Sequence, residues 1–329
     1  MSPVTETSMN RKFKNSCILA QDMVQKAWSG KKNSVDRHDM FPIKINDSLW
    51  VLGNDYFHLY MIRGNKSCAL IEMGISATTG TVLEQLSSLS EKPDYLIVTH
   101  PHSDHVTGLD GLKNAFPHAK VIAGNGAETF ISHPKAAPSF IAEDMHMLQA
   151  MTSLGLAGGE TAITTPPSLT GCKIVQDEEE LDLGELKIRF LEVKGHSPGN
   201  ILFHIPALNI LLVSDSLGNH YPGRGFFPTF FTGYDDYMKT INRLEKIAPD
   251  ILGLAHHGLI ADKMEIAKIF SIARGCAHDV RNYVIHDNRD DEDIAQDLFR
   301  FYYTGELAVY SPQNILNCCR LLVRRGREL

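Results

Sequence analysis

The sequence predicts an α/β protein of the α+β type, with two β-rich halves that each carry helices. Three observations support this class. Short apolar runs rich in β-branched and aromatic residues follow one another from about residue 43. The same texture recurs between residues 186 and 255. Beyond about residue 260 the apolar residues recur only at helical spacing, which predicts a helical C-terminal segment.

The predicted elements follow from these runs. Turn signals at Gly53-Asn54 and Gly64-Asn65 separate the first strands, which we expect to form an antiparallel meander. Each later strand is a short apolar run, and each helix repeats apolar residues at helical spacing. Predicted strands cover residues 49–52, 57–62, 68–72, 95–98, 186–193, 201–205, 210–213 and 251–255. Predicted helices cover residues 81–89, 139–153, 235–247, 262–283, 292–303 and 312–325.

Composition limits the classes of function. The chain has 329 residues, of which 43% are apolar and 22% charged, as in an ordinary globular protein. A formal net charge of −7 argues against binding to nucleic acid through a broad basic face, so we expect no nucleic-acid partner. The six cysteines form no CxxC pair, and no apolar run approaches the roughly 18 residues of a membrane span. We therefore expect a cytoplasmic protein that does not associate with membranes.

Two charge clusters accompany the predicted C-terminal helices. Residues 290–293 are all acidic and precede the second of these helices, where negative charge favours the positive end of the helix dipole. Four arginines occupy the end of the third helix, near its negative end, and they are Arg320, Arg324, Arg325 and Arg327. Helix stabilisation is a sufficient explanation for both clusters.

A histidine-rich segment carries the chemistry. The strand predicted at residues 95–98 runs directly into HPHSDH, residues 100–105. Three further motifs also follow predicted strands: GHSPG around His196, SDS around Asp215, and HHG at residues 256–258. A metal centre needs ligands from distant loops on a rigid scaffold, and strand ends supply them. The sequence therefore predicts a metal site at these strand ends. Its imidazole and carboxylate ligands suit zinc, iron and manganese alike.

These motifs, in this order, resemble those of the metallo-β-lactamase-fold hydrolase superfamily over about residues 43–260. The resemblance implies a four-layer αββα sandwich as the catalytic domain. Residues 1–42 would then be an N-terminal extension. Residues 261–329 would be a helical segment that caps the site or mediates a homodimer.

The resemblance also implies two divalent metal ions, with zinc as the default and iron or manganese as alternatives. His100, His102 and His196 would hold one ion, and Asp104, His105 and His257 the other. Asp215 would bridge them. A metal-bound hydroxide would be the nucleophile, and Asp104 would also serve catalysis by orienting it.

Two histidines are ambiguous. His256 adjoins His257, and strand alternation would point the two side chains apart. The family pattern places the ligand immediately before glycine, so we choose His257. His220 follows Asp215 by five residues and could face the substrate, but we expect an ordinary surface histidine.

Differences between branches of the superfamily narrow the range of substrates that we expect. Zinc β-lactamases have cysteine where Asp215 stands, and flavodiiron enzymes have glutamate at the position of His102. Glyoxalase II-type thioesterases, acyl-homoserine lactonases and the quinolone-signal-response thioesterase share the full ligand set, and the last also ends in helices. We therefore expect a small-molecule thioester, ester or lactone with an apolar acyl group as substrate. The alternatives are a regulatory partner-binding protein with residual hydrolysis, a phosphodiesterase and a di-iron redox enzyme.

Aromatic residues near these motifs could line an acyl tunnel or belong to the core. They are Phe226, Phe227, Phe230, Phe231, Phe299, Tyr302 and Tyr303.

Overall fold

The structure is a computed structural model that describes residues 40–221 and 225–328. The predicted N-terminal extension, residues 1–42, lies almost entirely outside the described residues. No helix within the described ranges is both long enough and apolar enough to cross a membrane.

All eight predicted strands and all six predicted helices are present, and the described residues contain seven strands and three α-helices that the sequence did not predict. The strands are β1 (Ile43–Lys44), β2 (Leu49–Gly53), β3 (His58–Arg63), β4 (Cys68–Ile71), β5 (Tyr95–Ile97), β6 (Lys120–Gly124), β7 (Lys173–Val175), β8 (Glu180–Asp182), β9 (Lys187–Glu192), β10 (Ile201–Ile205), β11 (Ile210–Ser214), β12 (Asn219–Tyr221), β13 (Gly225–Phe227), β14 (Ile251–Leu254) and β15 (Leu259–Ile260). The α-helices are α1 (Thr79–Ser88), α2 (Ser103–Val106), α3 (Leu109–Ala115), α4 (Ala127–Ile131), α5 (Ala137–Ser153), α6 (Tyr234–Glu245), α7 (Lys263–His286), α8 (Asp291–Tyr302) and α9 (Pro312–Arg327).

Two sheets pack face to face. The first contains β1 to β7 in chain order, and the second has the order β15-β14-β11-β10-β9-β8. Alternation along each strand explains the packing, because successive side chains point to opposite faces. In β3, Tyr60 and Ile62 face the layer between the sheets, whereas Leu59 and Met61 face outward onto helices.

Helices cover both outer faces. Leu86 of α1 and Leu112 of α3 pack on the first sheet. Helices α6 and α7 pack on the second sheet, and α8 and α9 extend this layer. The four layers confirm the predicted αββα sandwich with helices at its C-terminal end.

The apolar stripes of the C-terminal helices are buried within the same chain. Ile294 and Leu298 of α8, and Cys319 and Leu322 of α9, are fully buried in the core that includes α7. Two ion pairs join α8 to α9: Arg320 with Glu292 at 2.7 Å, and Arg327 with Asp291 at 2.7 Å. These two arginines therefore join the helix pair, a role that the helix-dipole explanation did not predict. A homodimer through this segment stays a prediction.

Strand directions bring the functional loops to one edge. Strands β4 and β5 are parallel, as are β11 and β14, so within each sheet these strands end on the same side. Strand β9 is antiparallel to β10, which is antiparallel to β11, so β9 runs in the direction of β11. The loops after β5, β9, β11 and β14 carry the sequence motifs.

Gly195 is a position where the fold has no room for a side chain. Its φ is +102°, and a Cβ there would lie 2.2 Å from the backbone nitrogen of Tyr237 in α6. We expect Gly195→Ala to lower the free energy of unfolding by about 2–4 kcal/mol, because it adds backbone strain to an overpacked contact. Denaturant unfolding measures this.

Gly158→Ala is the matched control. Nothing lies within 4 Å of a Cβ at Gly158, so this variant should unfold like the native chain. Equal stability of the two variants would contradict the packing argument. A loss of metal from Gly195→Ala would further show that this contact positions His196.

Candidate metal centre

Three histidines and one aspartate form the first cluster. His100 Nε2 lies 3.1 Å from His102 Nδ1 and 3.1 Å from His196 Nε2. Asp215 Oδ2 lies 3.8 Å from His196 Nε2 and 4.0 Å from His100 Nε2. One ligand atom from each of the four residues falls within 4.8 Å of the others. A tetrahedral zinc ion with Zn–N bonds of about 2.0–2.1 Å separates its ligands by about 3.3 Å, so the nitrogen spacing fits a shared ion.

The second cluster shares Asp215 with the first. His105 Nε2 lies 3.2 Å from Asp104 Oδ2 and 3.4 Å from Asp215 Oδ2. His256 Nε2 lies 3.4 Å from Asp104 Oδ2 and 3.3 Å from Asp215 Oδ1. These four residues again place one ligand atom each within 4.8 Å of the others. The two clusters therefore adjoin at one carboxylate.

The structure corrects the choice between the adjacent histidines. His256, not His257, reaches the second cluster. The backbone turns at His257, where φ is +50° and the amide donates to the carbonyl of Asp55 at 3.1 Å. The His257 ring packs instead at 5.2 Å from the ring of Tyr56. The left-handed turn directs the His257 side chain away from the cluster, so its position next to glycine did not identify the ligand.

In four of the histidines, the ring nitrogen that faces away from the cluster, Nδ1, makes a hydrogen bond. The Nδ1 atoms of His196 and His256 donate to the carbonyls of Thr229 at 3.0 Å and Tyr56 at 2.6 Å. The remaining two contacts involve the Nδ1 atoms of His100, with Thr99 Oγ1 at 3.0 Å, and of His105, with Glu72 Oε2 at 2.8 Å. Such contacts set the tautomer and leave Nε2 available, which is the usual arrangement of metal-binding histidine.

Glu72 is a functional candidate that the sequence prediction missed. It is buried directly after β4, accepts hydrogen bonds from Thr99 at 2.8 Å and Ser214 at 2.6 Å, and contacts His105. Its φ of +70° is uncommon for a residue other than glycine. The sequence does contain one signal for Glu72: it is an acidic residue at the end of a strand that runs parallel to β5, so it lies near the loop that carries His100 and His105.

The electrostatics of the two clusters differ. Burial lowers the pKa of His102 to about 3 and that of His100 well below its usual range, which favours the neutral, metal-binding form. Burial also lowers the pKa of His105 and His256, but nearby carboxylates outweigh it. Asp104, Glu72 and Asp215 hold the pKa of His105 well above its usual range, and Asp215 and Asp104 raise that of His256 to about 10.

The residues present fit a metal site. Three buried atoms of the second cluster, His105 Nε2, His256 Nε2 and Asp215 Oδ1, make no hydrogen bond within the described part of the chain. Each faces a ligand atom of the same cluster at 3.2–3.4 Å without forming a hydrogen bond. Buried polar atoms in that state are costly, so a cation at this position would satisfy them. The donors are imidazole nitrogens and carboxylate oxygens, which suit zinc, iron and manganese.

A residue of the C-terminal segment enters this centre. The Tyr310 hydroxyl donates to Asp104 Oδ2 at 2.9 Å, and Asn219 Nδ2 lies 3.4 Å from the same hydroxyl. Tyr310 is buried, and its ring lies 6.4 Å from that of His256. No sequence pattern points to this contact, because 206 residues separate the two partners.

A cavity of about 570 Å³ opens beside the clusters. His102, Asp104, His196 and Asp215 contribute to its wall. Of the predicted aromatic residues, Phe227 and Phe231 line it, together with Phe130 and Phe140, which were not predicted. The other predicted aromatics are not in the described lining of this cavity, and they are Phe226, Phe230, Phe299, Tyr302 and Tyr303.

His220 is not the surface histidine that the sequence suggested. It is 3% exposed and packs against Phe226 at 5.2 Å, and burial lowers its pKa to about 4. It belongs to neither cluster.

Comparison with known proteins agrees with this geometry. The family model described as metallo-beta-lactamase superfamily matches residues 58–256. The chain belongs to the metallo-beta-lactamase superfamily. Membership in this superfamily and the two His/Asp clusters together support a metal-dependent hydrolase.

Individual relatives are distant. The chain is 25% identical over 210 residues to the metallo-beta-lactamase fold-containing protein ST1585 of Sulfurisphaera tokodaii, covering 63% of this chain and 74% of that protein. It is 24% identical over 210 residues to a hydroxyacylglutathione hydrolase of Aeromonas salmonicida, covering 64% of each. The crystal structure of a metallo-beta-lactamase family protein from Thermus thermophilus aligns with a TM-score of 0.59 at 18% identity, covering 83% of this chain and 93% of that one. The structural likeness shows the shared fold.

Substitution of the adjacent histidines tests the corrected ligand set. We expect His256→Ala to lose about one bound ion per chain, because it removes one donor of the second cluster. We expect His257→Ala to keep the metal content of the native protein. Elemental analysis after dialysis against a buffered metal solution measures both. Equal losses, or a loss from His257→Ala alone, would restore His257 as a ligand.

Glu72→Gln tests the support of His105. The amide keeps the shape of the side chain but lacks the charge that orients the imidazole, so metal affinity should fall about 10- to 100-fold. Competition with a chelator of known affinity measures it. Ser214→Ala is the control, because it removes one hydrogen bond to Glu72 and leaves the contact with His105 in place. Unchanged affinity in Glu72→Gln would contradict this role.

Proposed function

We propose that the protein is a dinuclear metallohydrolase that cleaves a thioester, or a related ester or lactone, with a mostly apolar acyl group. The observation that carries the proposal is the cavity, in which aromatic side chains adjoin the His/Asp clusters. Phe130, Phe140, Phe227 and Phe231 all line its wall. Relatives named hydroxyacylglutathione hydrolase support an acyl compound as substrate.

Each residue of the two clusters has a defined part in this proposal. His100, His102 and His196 would hold one ion, Asp104, His105 and His256 the other, and Asp215 would contact both. Zinc is the default metal, and iron or manganese are the alternatives. Divalent ions supply two effects in hydrolysis: they lower the pKa of bound water and they polarise the bond that is cleaved.

The chain's own side chains would position the substrate. The ring of Phe231 lies 5.6 Å from His196 and 6.3 Å from His102, so an apolar group in the cavity would rest against the first cluster. Apolar walls exclude water from the reacting group, which strengthens electrostatic interactions there. The Tyr310 hydroxyl holds Asp104 in one orientation through their hydrogen bond. No serine or cysteine nucleophile is required, and a cytoplasmic location stays a prediction.

A substrate panel tests the proposal. Metal-reconstituted protein is assayed with acyl thioesters, lactones and phosphodiesters, alongside metal-stripped protein. We expect metal-dependent cleavage of thioesters or lactones, increasing with the length of the apolar acyl chain because more of it is buried. His118→Ala, which changes an exposed histidine outside both clusters, is the control for the native rate. Cleavage of phosphodiesters alone at full metal occupancy would show that the thioesterase proposal is wrong.

A further inference from the structure

One face of α9 forms a wall of the cavity. Asn314, Cys318, Leu321 and Arg325 recur at intervals of three or four residues and all contribute to the lining. At 1.5 Å per residue, this face spans about 16 Å. This helix therefore forms one long wall of the cavity.

Arg325 differs from the other C-terminal arginines. Arg320 and Arg327 pair with acidic residues of α8. Arg325 instead reaches the cavity, and it is the one lysine or arginine among the described residues that line it. The helix-dipole explanation therefore does not account for the position of the Arg325 side chain at the cavity.

Two contacts hold the Arg325 guanidinium at this wall. Its Nε donates to the carbonyl of Phe231 at 3.1 Å, and Phe231 is the ring that packs against His196 and His102. Its Nη1 donates to Glu328 at 2.5 Å. The Arg325 side chain is 22% exposed. The guanidinium is thus anchored at the wall of the cavity and is only partly hydrated.

The charge on Arg325 is incompletely balanced. Glu328 is half exposed and also lies 3.8 Å from Arg324, so two arginines share one carboxylate. The pair with Glu328 is partly exposed, and such pairs contribute little to stability, so the guanidinium keeps its capacity to bind a second carboxylate. Of the acidic lining residues, Asp104 and Asp215 belong to the two clusters, and Glu143 accepts hydrogen bonds from the amide and hydroxyl of Ser311.

We propose that Arg325 forms an anion subsite, so that the preferred substrate is amphipathic and carries a carboxylate in addition to an apolar chain. That the bound carboxylate belongs to a substrate rests on the proposed function. The subsite itself rests on the position and charge of Arg325. Because Nε and Nη1 already have partners, Nη2 is the nitrogen that can donate to a further carboxylate. A charged donor, unlike the aromatic wall, discriminates between charged and neutral groups.

Matched thioesters test the subsite. Metal-reconstituted protein is assayed with thioesters of N-acetylcysteamine whose acyl groups are succinyl, adipoyl and suberoyl, each compared with its methyl ester. We expect one of the carboxylate forms to exceed its methyl ester in kcat/KM by about ten- to a hundredfold, the range of a charge-assisted hydrogen bond. Arg325→Gln should abolish this preference, which is the ratio of the two kcat/KM values and so does not depend on the basal rate of the variant.

Two further variants make the result specific. Arg324→Gln is the matched control, because Arg324 shares Glu328 but is absent from the lining of the cavity. This variant should keep the preference. Arg325→Glu should reverse it, with 6-aminohexanoyl thioester becoming a better substrate than adipoyl thioester. A preference that survives Arg325→Gln would overturn the subsite.

A binding measurement separates this inference from the proposed function. Calorimetry on the protein without added metal compares adipic acid monoamide with hexanamide, and neither can be cleaved as a thioester. The carboxylate form should bind at least tenfold more tightly, and Arg325→Gln should remove the difference. If no thioester is cleaved but this difference is found, the proposed function fails and the subsite stands. If thioesters are cleaved and neither assay responds to Arg325→Gln, the subsite is wrong and the function stands.

Discussion

The shared position of Asp215 is the constraint on which the rest of the site depends. Its carboxylate lies within 4.0 Å of His100, His105, His196 and His256, which come from both sheets of the sandwich. Burying carboxylates and imidazoles together is costly unless they are paired or bind a cation. The two sheets must therefore meet in one fixed register at this edge. The large apolar layer between them, which includes Tyr60, Phe190 and Phe203, supplies the energy that holds this register.

A second polar contact crosses between the sheets beside the metal centre. Glu72 follows a strand of the first sheet, whereas Ser214 ends a strand of the second and donates to it at 2.6 Å. Both have positive φ, as does His257 on the adjoining loop. Backbone strain of this kind persists only where the surrounding structure enforces it, and it is common at functional sites. We infer that the strained strand ends direct the ligand loops, while the hydrogen bond between sheets keeps His105 aligned.

The sequence predicted what depends on local pattern. Alternation and helical spacing located eight of the fifteen strands and six of the nine α-helices in the described residues, and strand-end motifs located His100, His102, Asp104, His105, His196 and Asp215. It failed where local backbone geometry decides. The left-handed turn at His257 separates two adjacent identical side chains, and no motif encodes that turn. Glu72 was missed because it stands alone after an apolar strand, and its partners lie at sequence distances of 27 to 142 residues.

Tyr310 and Arg325 show a deeper limit of sequence analysis. Both lie in the helical segment that follows the residues matched by the family model, and each reaches the cavity only through tertiary packing. Tyr310 contacts Asp104 across the sandwich, and Arg325 contacts the carbonyl of Phe231 in the loop before α6. The sandwich alone would leave Asp104 without this hydroxyl and would leave one wall of the cavity open. The buried apolar faces of α8 and α9 therefore have two consequences. They stabilise the fold, and they place Tyr310 and Arg325 in the wall of the cavity.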